Sequence, residues 1–311
     1  MSYRLALDIP AADAVRAVAA QRAEHALRAL RETAPDDPGT AVHDVRKDAK
    51  KLRALLRLLQ PAIDPELRRG ENRAIASIAR GLSGTRDADV LAKQAAGLRD
   101  RSVGLAPEAT FCAVHDAFAR AASRDDDGRL DAAMATASAH LDALRERIAT
   151  WPLDGVRART LIDGLERSYR RGRHELRAVR RHPGDAGQLH EWRKRVKDLW
   201  YQERLLRDAW PGILKAQAGA LDELGELLGD DHDLSVLRDQ LTAPDGAGAS
   251  LALDLAPVIA AIDRRRAHLQ ARALAIGTRV YADKPAAFAG RHRAYLQTAR
   301  AAGAQSAPAA A

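Results

Sequence analysis

The sequence is poor in the features of disulfide-linked, zinc-binding and membrane proteins. Among 311 residues it has one cysteine, Cys112, which excludes an intramolecular disulfide framework and any zinc site with several cysteine ligands. No uncharged apolar run approaches the ~18 residues of a membrane-spanning helix. The N-terminal segment carries Arg4, Asp8, Asp13 and Arg16, so it lacks the apolar core of a signal peptide. We expect a cytoplasmic protein that does not enter a membrane.

Aromatic and β-branched residues are also scarce. Aromatics make up 4% of the chain and runs of β-branched residues are almost absent, so no strand pattern competes with a helical one. Alanine, leucine and arginine, which favour helices, dominate instead. Proline and glycine interrupt the helical periodicity at intervals, for example at 35–39, 152, 211–212 and 229. The pattern predicts an all-α fold of about ten to twelve helices, joined by short loops and packed as antiparallel bundles.

Two motifs occur twice, in the same order. The segment 43–59 matches 190–206 without a gap at an offset of 147 residues, with histidine, arginine, lysine and leucine at equivalent positions. A second segment, 82–91, matches 228–237 at an offset of 146. Two pairs at nearly one offset are typical of an internal repeat. The sequence therefore predicts a tandem duplication.

The offset also predicts the division of the chain. Residues 1–155 form the first predicted half, with its motif at 43–57, and residues 156–300 form the second, with its motif at 190–204. The two halves are expected to meet close to residue 155. The remaining segment, 301–311, is expected to be a disordered tail.

On a helical wheel, each copy of the first motif has its positive charges on one side. At about 100° per residue, four basic side chains lie within about 60° of the motif histidine, and apolar residues fill the opposite face. These two stripes are His43, Arg46, Lys47, Lys50 and Arg57 in the first copy, and His190, Arg193, Lys194, Lys197 and Arg204 in the second. The acidic residues of the two helices are expected to lie outside the stripes: Asp44, Asp48, Glu191, Asp198 and Glu203. A solvated helix face normally mixes charge signs, because like charges at i,i+4 are destabilising. The repeated stripe therefore favours a negatively charged partner, while an ordinary solvated face remains an alternative for single residues in it.

The distribution of lysine marks the same two segments. The chain has eight lysines among its 50 basic residues, and five of the eight lie within 43–57 and 190–204. An ammonium group is a compact charge whose three donors can follow oxygens at many angles, whereas arginine suits a fixed planar fork. The two segments therefore suit a flexible anion with many oxygens, such as a chain of phosphates.

The second repeated motif places acidic residues next to glycine. Asp87 and Asp233 each follow a glycine-containing turn and precede an apolar helical run, so N-capping is the leading interpretation. The alternative is a divalent-metal site that would use Asp87, Asp89, Asp230, Asp231 and Asp233. The sequence contains neither a Gly-x-x-x-x-Gly-Lys-Ser/Thr phosphate loop nor a His-Glu-x-x-His motif, and it indicates no nucleophile–base pair. Catalysis is therefore not indicated.

Several of these motifs together resemble a known family. The residues concerned are His43, Arg46, Lys50 and Arg53, their counterparts from His190 onward, the two aspartate-containing segments, and Tyr169, Arg170 and Arg173 on the preceding helix. In this combination the chain resembles the CHAD domain, the conserved histidine α-helical domain, over about residues 3 to 300. The resemblance implies two four-helix bundles related by a pseudo-twofold, with basic helices lining a central groove. It also implies binding of inorganic polyphosphate and association with polyphosphate granules, often in bacteria.

The expected function is therefore non-enzymatic binding of inorganic polyphosphate, with no cofactor and no metal. Granule proteins are possible further partners. The expected contacts are His43, Arg46, Lys47, Lys50, Arg53, Arg57, Arg170, Arg173, His190, Arg193, Lys194, Lys197 and Arg204. In the second copy Trp200 stands where the first has Arg53, which removes one contact. Affinity is expected to fall steeply with salt and to rise as the histidines gain protons between about pH 8 and pH 6.

Three alternatives stay open at this point. A nucleic-acid-binding surface would also be basic, although the stripes offer only Tyr201 for stacking on bases. A metal-dependent phosphohydrolase would use the aspartate segments together with the histidines. An interaction scaffold on granules would contact polyanions only incidentally.

Overall fold

Every regular element that the structure describes is helical. The computed structural model describes residues 3–82, 87–101, 107–122, 127–251 and 253–306. Within these ranges the α-helices are α1 (Ala11–Arg28), α2 (Pro38–Leu58), α3 (Pro65–Gly81), α4 (Asp87–Arg101), α5 (Glu108–Ala122), α6 (Asp127–Ala149), α7 (Ala158–Arg181), α8 (Ala186–Leu205), α9 (Pro211–Thr242), α10 (Ala256–Val280) and α11 (Pro285–Ser306). A π-helical turn, Ala29–Thr33, continues α1, and 3-10 turns lie at Arg207–Ala209 and Ala247–Ser250. The prediction of an all-α fold is confirmed. None of the helices in the described part of the chain has both the length and the apolar character needed to cross a membrane.

The two helices that carry the first motif, α2 and α8, both begin at an aspartate cap. A side-chain oxygen of Asp37 accepts a hydrogen bond from the backbone N–H of Thr40 at 2.9 Å, and Asp185 accepts one from that of Gln188 at 3.0 Å. Each cap satisfies one of the N–H groups that the start of a helix leaves unpaired. In α2 the cap is followed by Pro38, whose fixed φ suits the first helical position. Local sequence therefore sets where each motif helix begins.

The helices pack in two groups of four, and in each group every helix contacts two others so that the contacts form a closed ring, which we call a helical cycle. In the first, α2 contacts α1 and α3, and α6 contacts the same two helices from the other side. In the second, α8 contacts α7 and α9, and α10 contacts the same two helices. Helices α4 and α5 form a hairpin whose α4 packs on α9, while α11 packs on α7. The two cycles meet where α2 contacts α7 and α8.

The apolar faces predicted for the motif helices form part of the core. All eight of the residues concerned are buried: Val45, Leu52, Leu55 and Leu59 beside α1 and α3, and Trp192, Val196, Leu199 and Leu206 in the second cycle. Burial of such side chains stabilises the fold by roughly 1.5–3 kcal/mol each. The apolar side of each motif helix is thus held in the core, which leaves the opposite side for the basic residues.

Close contacts lock α2 against α7 and α8. A Cβ on Gly164 of α7 would lie 1.8 Å from the carbonyl oxygen of Leu58, so only glycine permits this approach. On α8, the fully buried Gln202 donates its Nε2 hydrogen to the carbonyl of Ala54 at 3.0 Å. These contacts fix the positions of the two motif helices relative to each other.

Helix α9 is continuous where the sequence predicted a turn. Gly229 and Asp233 both lie inside the helix Pro211–Thr242, so the predicted break at Gly229 and the predicted N-cap at Asp233 are wrong. The guanidinium of Arg193 lies beside this glycine, where a Cβ would make an ordinary contact with it at 3.5 Å. The corresponding prediction for Asp87 concerns a side chain outside the described residues, although Asp87 itself is the first residue of α4.

The C-terminal helix continues into the segment expected to be a tail. Helix α11 runs to Ser306, so the first six residues of 301–311 are helical, and residues 307–311 lie outside the described part. Between α6 and α7 the chain has no helix from 150 to 157, which is where the sequence placed the junction of the two predicted halves. The division itself stays a prediction.

Candidate functional site

A cavity of about 800 Å³ lies between the basic sides of α2 and α8. Helix α9 forms a third wall, and Val90 and Leu91 of α4 add an apolar edge. The lining includes nine of the thirteen residues predicted from the sequence: His43, Arg46, Lys47, Lys50, Arg53, Arg57, Arg193, Lys194 and Lys197. The structure therefore brings the basic stripes of both motif copies to one concave surface.

Three predicted arginines lie elsewhere. On α7, Arg170 forms an ion pair with Glu166 at 3.2 Å, and Arg173 donates its Nε hydrogen to the carbonyl of Tyr281 at 3.2 Å. Neither lines the cavity. Arg204 lines a smaller neighbouring pocket instead. Helix α7 packs on α11 as well as on α2 and α8, and the pattern of charge within one helix could not reveal this packing.

His190 lies against the cavity wall rather than in its lining. Its ring packs on that of His232 with centroids 4.2 Å apart, and His232 is the residue that lines the cavity. Burial, followed by the nearby His232, Lys194 and Arg193, lowers the pKa of His190 to about 4. Burial also lowers the pKa of His232. The titration expected for His190 between pH 8 and pH 6 therefore does not occur in the ligand-free protein, where this ring is neutral over that range.

The cavity also contains acidic side chains. Its eight lysines and arginines face four acids, Asp198, Asp222, Glu226 and Asp233, which leaves an excess of four positive charges. The prediction that Asp198 lies outside the basic surface is wrong, because the crossing of α8 over α2 brings it to 2.9 Å from Nη1 of Arg57. Burial raises the pKa of Asp198 despite the neighbouring Arg57 and Arg195. Of the acids of α9, Asp233 was considered only as a cap or a metal ligand, and Asp222 and Glu226 were missed, although the spacing of the three by four and seven residues marks one helix face.

Lys197 is held by three neighbours at the edge of the cavity. Its Nζ lies 3.3 Å from a carboxylate oxygen of Asp222 and 4.3 Å from the ring centroid of Trp200. Its aliphatic stem crosses Gly225 of α9, where a Cβ would lie only 2.8 Å from the lysine Cε. Arg204 lies over the same Trp200 ring at 4.7 Å. Burial lowers the pKa of Lys197, and the negative charge of Asp222 opposes that effect.

Arg46 and Arg193 occupy equivalent positions of the two motif copies and share one property. Each has a buried guanidinium nitrogen, Nη1 in Arg46 and Nε in Arg193, that has no hydrogen-bond partner among the described residues. Buried donors without acceptors are rare and destabilising in native proteins. Both arginines line the cavity, so a bound anion could supply the missing acceptors.

Among the described residues, the aspartate segment of α9 does not form a metal site. Asp231 is buried and accepts hydrogen bonds from Nε of Arg266 at 3.1 Å and from Nε2 of Gln270 at 2.7 Å. Within the described residues, no three His, Cys, Asp or Glu side chains are grouped closely enough to hold a metal ion. The side chains of Asp87 and Asp89, two members of the predicted set, lie outside the described part.

These features define an all-helical protein with a cationic cavity between two equivalent helices. The chain belongs to the CHAD domain family, whose family model matches residues 9–242. The match ends with α9 and includes every residue that lines the cavity, whereas the resemblance in the sequence was expected to extend to about residue 300. No curated protein matches the chain.

Proposed function

We propose that this protein binds inorganic polyphosphate in the cavity between α2 and α8. The observation that carries the proposal is the convergence of eight basic side chains from both motif copies on one surface, against four acids. A polyphosphate chain carries negative oxygens on every side and can meet lysines and arginines arranged around it. The unpartnered guanidinium nitrogens of Arg46 and Arg193 are donors for two of those oxygens.

We propose binding without a catalytic step. The sequence indicates no nucleophile–base pair, and two carboxylates of the cavity are already neutralised by cations. Asp198 accepts a hydrogen bond from Arg57 at 2.9 Å, and Asp222 lies 3.3 Å from Nζ of Lys197. These acids are therefore paired with basic side chains of the proposed site. Binding of this kind would place the protein in the cytoplasm, on polyphosphate granules.

We further propose that the two helical cycles arose by tandem duplication and are related by a pseudo-twofold. Helices α1 and α7 begin at residues 11 and 158, which differ by the same 147 positions as the two motif copies. The order of contacts is also the same in both cycles. In this arrangement the two arginines with unpartnered nitrogens would face a ligand from symmetric positions.

Nucleic acid is the competing ligand. Single strands bind best where bases stack on open aromatic rings. The cavity contains Trp200 and Tyr201, but Lys197 and Arg204 already lie over the Trp200 ring. This occupied ring favours a ligand that has phosphates and no bases.

The test is a charge reversal on each wall, Lys50→Glu with Lys194→Glu, which we call the cavity variant. Its matched control is Lys215→Glu with Lys284→Glu, two exposed lysines outside the cavity that give the same change in net charge. We expect the cavity variant to bind long-chain polyphosphate at least about tenfold more weakly than the control, with unchanged helicity by circular dichroism. Equal affinities of the two variants would contradict the proposal. Displacement of polyphosphate by RNA or DNA at equal phosphate concentration would favour the nucleic-acid alternative.

A further inference from the structure

A second pocket, of about 340 Å³, lies beside the cavity and is also basic. The N-terminal segment, α1, α2, the end of α8 and the turn after it all contribute to its lining. Its basic residues are Arg4, Arg22, Lys47, Lys51, Arg204 and Arg207. Two acids, Asp44 and Asp48, line it as well, so positive charges exceed negative ones by four, as they do in the cavity.

At this pocket a hydrogen bond joins the N-terminal segment to α8, and an ion pair joins it to the turn that follows α8. The backbone N–H of Leu5 donates to the carbonyl of Leu205 at 2.9 Å, and Arg4 forms an ion pair with Asp208 at 3.2 Å. The buried Tyr3 donates its hydroxyl hydrogen to the carbonyl of Lys51 at 3.1 Å. The pocket is therefore built from both helical cycles, and the contacts of residues 3–5 fix one of its walls.

One buried acid pairs with three basic groups in this pocket. Asp48 is fully buried, and its oxygens lie 2.6 Å from Nζ of Lys51, 2.6 Å from Nδ1 of His25 and 3.4 Å from Nη1 of Arg22. Asp44 of the lining and Asp208, which pairs with Arg4, are two further acids, and the lining has four other basic residues. The pocket therefore keeps more positive than negative charge even when Asp208 is counted.

Arg22 has hydrogen-bond donors that are not used by the described residues. Its side chain is only 2% exposed, yet its Nε and Nη2 have no hydrogen-bond partner among the described residues. An unsatisfied, buried guanidinium is costly unless an acceptor arrives from outside. A phosphate group, with several anionic oxygens, is an acceptor of the right charge and is small enough to enter a pocket of about 340 Å³.

We propose that this pocket binds a phosphate group and extends the polyphosphate site beyond the cavity. This rests on the function proposed above. Lys47 lines both the pocket and the cavity, and Arg204 of the pocket lies over Trp200 of the cavity. A chain that fills the cavity can therefore continue past Lys47 and place a further phosphate beside Arg22. The pocket would thus make long chains bind more tightly than short ones.

The test removes two pocket arginines that do not line the cavity, Arg4→Gln with Arg207→Gln, which we call the pocket variant. Its matched control is Arg264→Gln with Arg279→Gln, two exposed arginines of α10. Titration calorimetry with tripolyphosphate and with long-chain polyphosphate gives a ratio of affinities for each protein. We expect the pocket variant to lose about tenfold in affinity for the long chain and little for tripolyphosphate. A ratio equal to that of the control would overturn the proposal.

A second measurement tests the pocket independently of the cavity. It also distinguishes a phosphate that belongs to a long chain from a free phosphate in solution. Pyrophosphate is titrated into the cavity variant, in which the cavity is weakened and the pocket is intact. We expect binding that disappears when Arg4→Gln and Arg207→Gln are added, which shows that the pocket also takes free phosphates from solution. If neither the wild type nor any variant binds long chains, but pyrophosphate still binds and is lost with Arg4→Gln and Arg207→Gln, the proposed function fails and the phosphate pocket stands. If pyrophosphate binding is unaffected by the two added substitutions, the pocket proposal fails.

Discussion

At the scale of single residues, the acids of the cavity compete with its proposed ligand. Asp222 lies 3.3 Å from Nζ of Lys197, and its side chain is 41% exposed. A bound anion must share this lysine with Asp222 or displace the carboxylate from it. The neighbouring Glu223 instead pairs with Arg272 at 3.0 Å, outside the cavity. These adjacent acids of α9 therefore differ in their relation to the site while resembling each other in charge and exposure.

We expect Asp222→Asn to increase affinity for polyphosphate by about three- to tenfold, because it frees Lys197 and removes one repulsive charge. Glu223→Gln is the control and should leave affinity within about twofold of the wild type. Fluorescence anisotropy with end-labelled polyphosphate measures both variants. A decrease in affinity for Asp222→Asn would mean that the carboxylate positions Lys197 for the ligand.

A buried pair links α8 to α11. Nε2 of His292 lies 2.9 Å from a carboxylate oxygen of Glu203, and both side chains are 1% exposed. The ring also contacts the carbonyl oxygen of Phe288 through Nδ1 at 2.8 Å. Burial lowers the pKa of His292, but Glu203 and the Phe288 carbonyl outweigh it, so the pKa is raised overall. The protonated ring is therefore the form that the fold prefers.

This pair should make stability depend on pH. Because the pKa of His292 is raised on folding, its contribution is fully present below the unfolded pKa of about 6.5 and is lost as pH rises through the folded pKa. We expect His292→Gln to lower the free energy of unfolding by about 3–5 kcal/mol at pH 6, and by less at alkaline pH. Urea denaturation across this range tests it, with His268→Gln on the exposed side of α10 as the control. A deficit that does not change with pH would show that His292 contributes by packing alone.

At the scale of elements, α9 forms the third wall of the cavity. Two of its glycines, Gly225 and Gly229, lie four residues apart, and the side chains of Lys197 and Arg193 cross them. The absence of a Cβ at Gly225 lets Lys197 lie close to the helix, whereas a Cβ at Gly229 would make only an ordinary contact with Arg193 at 3.5 Å. Both basic side chains line the cavity.

Gly225→Ala should separate stability from binding. Alanine favours a helix interior over glycine by about 0.5–1 kcal/mol, and the new Cβ would meet only the flexible end of Lys197, at 2.8 Å. We expect an equal or higher thermal midpoint together with weaker polyphosphate binding, because the new Cβ pushes the Lys197 ammonium away from the place where it lines the cavity. Gly219→Ala, on the same helix with nothing within 4 Å, should stabilise without changing affinity. Equal affinities of the two variants would contradict the role given to Gly225.

The element scale also shows what the sequence could and could not predict. Helical periodicity identified the buried and basic sides of α2 and α8, because those sides depend on angles within one helix. It could not place Asp198 in the cavity or bring α4 and α9 to its walls, since these depend on how helices cross. Gly229 was misread because a glycine inside a helix looks the same in the sequence as a glycine at a helix end.

At the scale of the whole molecule, the cavity belongs to neither helical cycle alone. Its walls come from α2 and α4 of the first half of the chain and from α8 and α9 of the second. The Gln202–Ala54 and Arg57–Asp198 contacts that fix α2 against α8 also fix the distance between the two basic walls. Ligand binding is therefore coupled to the packing of the entire chain, and polyphosphate should raise the stability of the protein as a whole.

The charge of the complete site should also determine how binding responds to salt. Eight basic residues line the cavity, and four acids offset part of their charge, so between four and eight phosphate contacts are available to a ligand. At ~0.7 counterion released per contact, a plot of log affinity against log salt concentration should have a slope of about −3 to −6. The cavity variant should show a shallower slope, because two contacts are lost, whereas Lys215→Glu with Lys284→Glu should keep the slope of the wild type. A slope near zero in the wild type would mean that contacts other than charge hold the ligand, and that the excess of positive residues in the cavity has a different purpose.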